Sequence, residues 1–162
     1  MLPKIIIDGY NVLHLIDSYQ HVLHLDLERA REMLIHDVRV YRSYKSVDIM
    51  IVFDGAADVP TPFHLQRRGR IRIMFSKAPL KADPVIVKLV ETDRRKRRIT
   101  VVTADREVIQ QAKAHGCTIL HPQEFYSRIQ APHKGNQLNT KYEQDMSDDE
   151  LDEWKRLFGI DE

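Results

Sequence analysis

The sequence predicts a three-layer α/β fold, with helices on both faces of a mostly parallel sheet of about five strands and a short C-terminal helix after it. Two observations carry this expectation. Apolar strand-length runs alternate along the chain with amphipathic segments of helical length, and strands joined that way need right-handed crossovers that lay helices over both faces. The runs are also apolar throughout, which is how strands buried on both faces read.

Residues 4–8 (KIIID) are the first such run and end in an acid. Residues 26–44 make a helix, because Asp26 caps its start and Leu27, Ala30, Leu34, Val38 and Tyr41 recur every three or four positions. Residues 47–54 (VDIMIVFD) form a second buried strand, again closed by an acid before a glycine. Residues 55–68, with Pro60 and Pro62, read as a loop, and residues 70–75 (RIRIMF) alternate as an edge strand with one wet face does. Asp83 and Pro84 open a helix through Thr92 as cap and first helical residue, with Val85, Ile86, Leu89 and Val90 on its apolar face. Residues 99–103 (ITVVT) are a further strand, 105–115 a helix stopped by Gly116, 117–120 a short strand, and 122–129 the helix that closes the core. The domain is therefore expected over 1–130. Residues 131–146 are polar and aperiodic, a linker. Over 147–162, Ser147 and Glu150 form a capping box for an acidic helix with Leu151, Trp154, Leu157 and Phe158 on one face.

A chain of 162 residues has room for one core, and its 43% hydrophobic content excludes global disorder. No apolar run approaches the roughly 20 residues that span a bilayer, and the N-terminus lacks a basic n-region and a small-residue cleavage site. The single cysteine, Cys117, excludes an internal disulfide and a cysteine-based zinc site. These features point to the cytoplasm and away from membranes. The net charge of +1 hides an asymmetry: residues 143–162 hold nine acids and two bases, a balance of −7, whereas residues 1–142 hold 23 bases and 15 acids, a balance of +8. Such a body either attracts polyanions or is merely kept soluble by its bases, and charge alone does not separate the two.

The strand ends do more. Asp8 and Asp54 end strands, Asp105 lies just past the strand ending at Thr103, and Asp83 begins a helix, so all four are expected on the rim formed by the strands' carboxyl ends. At an effective dielectric of about 20, two carboxylates about 4 Å apart repel by about 4 kcal/mol, so gathering four calls for a cation. Oxygen-only ligands favour Mg²⁺ or Mn²⁺ over zinc, and such ions activate water and phosphodiesters, the chemistry that cuts nucleic acid. Helix capping alone accounts equally well for Asp83 and Asp105. Asp8 and Asp54, at the ends of apolar strands, are harder to explain that way. Asn11 either positions a carboxylate or phosphate or makes a turn, and Thr103 either binds a metal ligand or simply ends a strand. Glycine-rich nucleotide loops, H-E-x-x-H, a serine elbow and a phosphoaspartyl pair are all absent, position 10 being Tyr10.

IIIDGYNVLH at 5–14, VFDG at 52–55, FSKAPLKADPVI at 75–86 and VVTADREV at 101–108 occur in this order and together resemble the NYN-domain proteins of the YacP-like group, relatives of the PIN nucleases. The resemblance covers about residues 1–130 and leaves out the tail with Trp154. It implies a PIN-like fold and a divalent-metal-dependent endoribonuclease acting on RNA, with mRNA at the ribosome as substrate for part of the group. It further implies Asp8, Asp54, Asp83 and Asp105 as metal ligands, with Asn11 and Thr103 in support. Arg29 becomes a candidate site-facing cation, although a helix face with Arg29, Arg31 and Arg39 is ordinarily solvated. Arg67, Arg68 and Arg70 are expected to grip phosphates near the cut, with Lys77 and Lys81 on the rim as backbone contacts. The run 94–98 lies at the other end of its strand, as a distal docking surface or a solvated turn. The competing function is a non-catalytic RNA- or ribosome-binding module on the same fold.

Overall fold

The computed structural model describes residues 2–55, 63–77 and 84–131. The chain runs through β1 (Lys4–Asp8), α1 (Gly9–Leu15), α2 (Asp17–Leu23), α3 (Leu27–Tyr44), β2 (Asp48–Phe53), β3 (Phe63–Arg68), β4 (Ile71–Ser76), α4 (Val85–Thr92), a 3-10 turn (Lys96–Arg98), β5 (Ile99–Val102), α5 (Arg106–Ala114), β6 (Thr118–Leu120) and α6 (Pro122–Gln130). Among the described residues the sheet has six strands in the order β3-β4-β2-β1-β5-β6. Every neighbouring pair is parallel except β3 against β4. The alternating pleat of β1 sends Ile7 to one face and Ile6 to the other. Ile7 packs with Val12, Leu13, Leu34, Val38 and Phe125 of α1, α3 and α6. Ile6 packs with Ile86, Val90, Val108 and Ala112 of α4 and α5. This is the expected three-layer αβα arrangement, and among the described residues no helix is long and apolar enough to cross a membrane.

Three local expectations are corrected. Residues 63–68, read as part of a loop, form β3, the sixth strand and the true edge; its polar FHLQRR pattern conceals a strand that pairs on one side only. β4 is consequently interior, and Arg72 in it is buried instead of solvated, because Asp48 on the neighbouring strand receives its Nη2 at 2.7 Å. The α4 helix begins at Val85 with Pro84 in the cap position; the expected cap Asp83 lies outside the described residues, as do the linker and the C-terminal helix over 147–162. Asp26 does cap α3, its carboxylate accepting the Arg29 N–H at 3.2 Å. The two short helices α1 and α2 fill a stretch to which the periodicity assigns no element.

At the amino end of the sheet, Lys4 donates to Asp93 (2.9 Å), Arg95 reaches Asp93 (3.1 Å) and Asp48 (3.0 Å), and Arg72 completes the chain at Asp48. Burial pushes both carboxyls up. The surrounding Arg72, Arg95 and Lys4 at Asp48, and Arg95 and Lys4 at Asp93, outweigh it and hold both below the usual carboxylate range. Groups lowered in this way contribute stability above the unfolded carboxylate value and lose it as pH falls toward the folded one. Asp93→Asn should cost about 3 kcal/mol in urea unfolding at pH 7, because it leaves the Lys4 ammonium buried without its partner. Lys4→Met should cost less than half of that, since Arg95 still serves Asp93. The Asp93→Asn deficit should shrink below about pH 4.

Candidate active site

From β1 the sheet grows toward β2 in one direction and toward β5 in the other, so strand order reverses beside β1 and a crevice opens past the carboxyl ends of β1 and β5. Asp8 is the last residue of β1, and α1 follows at once with Gly9. A Cβ on Gly9 would lie 2.5 Å from the buried Phe53 ring, so only glycine lets α1 turn this closely over β2. Asn11 then ties α1 across the crevice, its side-chain oxygen accepting the Ala104 N–H at 2.8 Å. Thr103, fully buried, donates its hydroxyl to Asp8 Oδ2 at 2.9 Å and accepts the Asp105 N–H at 3.0 Å. Asp105 caps α5, its Oδ1 accepting from Glu107 (2.9 Å) and Val108 (3.3 Å). On the other side Asp54 follows β2; Ser76 at the end of β4 donates to its Oδ1 at 2.6 Å, and the Val85 N–H of α4 donates to its Oδ2 at 3.2 Å.

These bonds separate the acids. Asp54 is fastened through both oxygens, and Asp105 satisfies the first turn of a helix. Asp8 is in deficit: burial raises its carboxyl to about 6, with Asp105 and Asp54 pushing the same way against the Thr103 hydroxyl and the Asn11 backbone N–H. An all-oxygen donor set around a carboxyl driven toward its neutral form suits a hard divalent cation. Among the described residues, no three acid, histidine or cysteine side chains stand close enough to hold a metal ion by themselves. Asp83 and Lys81 lie outside the described residues.

Lys77, exposed directly after β4, is on the rim. Arg67, Arg68 and Arg70 are not: β3 runs antiparallel to β4, which sets Arg68 opposite Ile71 at the amino end of the sheet. The expectation that they stand beside the cut is therefore corrected. Arg68 is committed to Glu32 by a two-pronged bridge (2.8 and 2.7 Å). Arg29 is exposed in the first turn of α3. Arg31, expected on a solvated face, is buried. Its Nη2 donates to the Tyr10 hydroxyl at 2.6 Å, and its guanidinium lies 5.6, 5.8 and 5.5 Å from the ring centres of Tyr10, Phe53 and Phe75. The signal was available, since Arg31 sits four and seven residues before Ile35 and Val38 on the apolar stripe. Ser76 and Gly9 were also missed. Ser76, like the acids, is a polar residue ending an apolar strand.

The YacP-like NYN domain model matches residues 5–158, beyond the 1–130 covered by the motifs. Two solved structures are similar, both of Rae1 (YacP) from Bacillus subtilis and both 22% identical to this chain. One has a TM-score of 0.68 over 96% of this chain and 87% of that one. The other, a tryptophan-to-leucine mutant, has a TM-score of 0.65 over 79% of this chain and 75% of that one. No curated protein matches the chain.

A carboxyl whose folded value is raised to about 6 from 3.8 opposes folding above pH 6 and ceases to do so as pH falls toward 4. With divalent cations removed, Asp8→Asn is expected to raise unfolding free energy at pH 8 by about 2 kcal/mol, a gain that fades by pH 4. A difference that does not change with pH would show that burial of the charge is not what burdens this position.

Proposed function

The chain belongs to the YacP-like NYN domain family, and from that premise we propose that it is a divalent-metal-dependent endoribonuclease acting in the cytoplasm, with mRNA on the ribosome as its substrate. One observation carries the reading: Asp8 is a half-buried carboxyl at the sheet's switch point, its charged form disfavoured by desolvation and by two further acids.

In this reading Asp8, Asp54, Asp83 and Asp105 hold Mg²⁺ or Mn²⁺. A bound ion of this kind polarises a phosphodiester and eases departure of the leaving oxygen. The chain's own residues prepare the place. Thr103 fixes the plane of the Asp8 carboxylate while anchoring the Asp105 amide. Ser76 and the Val85 amide fix Asp54. Asn11 holds the turn after β5 against α1. Lys77, with Arg29 and Lys81, supplies positive charge for phosphates flanking the cut, and such contacts position RNA without reading its sequence. Fixing ligands before substrate arrives removes reorganisation from the reaction itself, which is where preorganised sites gain most of their rate.

Asp8→Asn should reduce cleavage of RNA, free or on translating ribosomes, by at least about 100-fold, and leave the circular dichroism spectrum unchanged. EDTA should do the same, with recovery on adding Mn²⁺. Cleavage by Asp8→Asn at the wild-type rate overturns the assignment. RNA binding without product under either presentation would instead establish the binding-module function.

A further inference from the structure

We infer that Arg106 and His121 form a substrate-binding flank of the acid rim, taking the phosphodiester backbone of an RNA strand on the β5–β6 side of the carboxylates; the inference rests on the nuclease reading above. The register of the sheet places them. Ile7 stands opposite Val102, and Val102 opposite Leu120. One residue further on, Asp8, Thr103 and His121 make the next row across β1, β5 and β6. Two bonds carry the row past the strand ends: the Thr103 N–H donates to the Leu120 carbonyl at 3.2 Å, and its hydroxyl donates to Asp8 at 2.9 Å. His121 keeps extended backbone angles, so the row continues the pleat, with Asp8, Thr103 and His121 on the face of Ile6, Val101 and Ile119. Two strand spacings separate Asp8 from His121, about 10 Å.

The histidine ring is held in one orientation and, in its neutral form, in one tautomer. Its Nδ1 accepts the Gln123 N–H at 3.2 Å and so caps α6, which leaves the proton on Nε2, at the opposite edge of an exposed ring. A donor fixed in this way meets a phosphate or ribose oxygen without further ordering. Arg106 is the first residue of α5, one position past Asp105, whose N–H is anchored on Thr103. It is exposed, and among the described residues no acid is bridged to its guanidinium. Glu124 in the first turn of α6 faces Arg128 instead, at 3.4 Å. A planar guanidinium fork matches phosphate oxygens.

The chemistry of the rim calls for such a flank. Asp8, Asp54 and Asp105 repel the phosphates of any strand laid across them, and a cation bound among them offsets that repulsion only at the phosphate it meets. A strand running along the rim needs donors on both sides. Lys77 follows β4, two strands from β1 on one side, and His121 follows β6, two strands from β1 on the other. Acids at the centre and donors at both ends give a track of four strand spacings, about 19 Å. A lone nucleotide needs no such track, whereas a polymer does.

The test is fluorescence anisotropy of the full chain in EDTA, which separates binding from cleavage, with a labelled single-stranded oligoribonucleotide of about 12 nucleotides. Arg106→Gln should raise Kd about fivefold and flatten the slope of log K against log salt by about 0.7, the loss of one phosphate contact on a single strand. His121→Ser keeps a cap on α6 and removes the ring. It should shift Tm by less than about 2 °C, raise Kd about threefold, and leave the salt slope unchanged, because a neutral donor releases no counterion. Lys113→Gln, exposed at the other end of α5, should change Kd less than about 1.5-fold. Full affinity in either Arg106→Gln or His121→Ser, or a loss in Lys113→Gln equal to that in Arg106→Gln, overturns the inference. Should the serine variant not fold, Arg106→Gln against Lys113→Gln decides. A chain that cleaves RNA while both flank variants bind like the wild type loses only this flank; one that never cleaves but loses affinity as described keeps the flank and loses the nuclease.

Discussion

β1 is the central strand and carries an ionisable group at each end, Lys4 buried and Asp8 half-buried. Lys4 at the start is met by Asp93, and through Arg95, Asp48 and Arg72 that contact extends into a chain of alternating charge. Asp8 at the finish meets a hydroxyl and two more acids. Desolvating a charge is expensive unless it is matched, and the chain matches one end and leaves the other short. The fold gains its anchorage where the charges are paired and its candidate chemistry where they are not.

The unbalanced end is held together from several elements. Gly9 brings α1 over β2, Asn11 joins α1 to the turn after β5, Thr103 links Asp8 to the start of α5, and Ser76 links Asp54 to β4. Each contact joins segments distant in sequence, so carboxylates that repel one another are kept close by neutral donors and backbone amides. Those donors limit the repulsion and fix directions without supplying net positive charge.

Much of this was legible in the sequence because strand runs and helix stripes are local signals. Asp8, Asp54 and Asp105 could be placed on one rim from runs such as KIIID and ITVVT and from the parallel topology those runs imply. What escaped depends on distant partners. β3 is polar and becomes a strand only by pairing with β4. Arg72 is buried only because Asp48 arrives on the neighbouring strand, and Arg31 only because Tyr10, Phe53 and Phe75 make a box for it. The misplaced Arg67, Arg68 and Arg70 follow from the same missing hairpin, whose reversal carries them to the far end. The acidic segment 143–162 and Asp83 lie outside the described residues.

The close approach at Gly9 links the acid rim to a cluster of packed aromatic rings. Phe53, which a side chain at position 9 would strike, stacks on Phe75 at 5.4 Å and leans on Tyr10 at 5.1 Å, with Arg31 beneath all three. No loop separates Asp8 from this cluster to act as a hinge. On heating, loss of the rim's shape and melting of the interior should therefore be a single cooperative event, with no window of temperature in which a folded but inactive form accumulates.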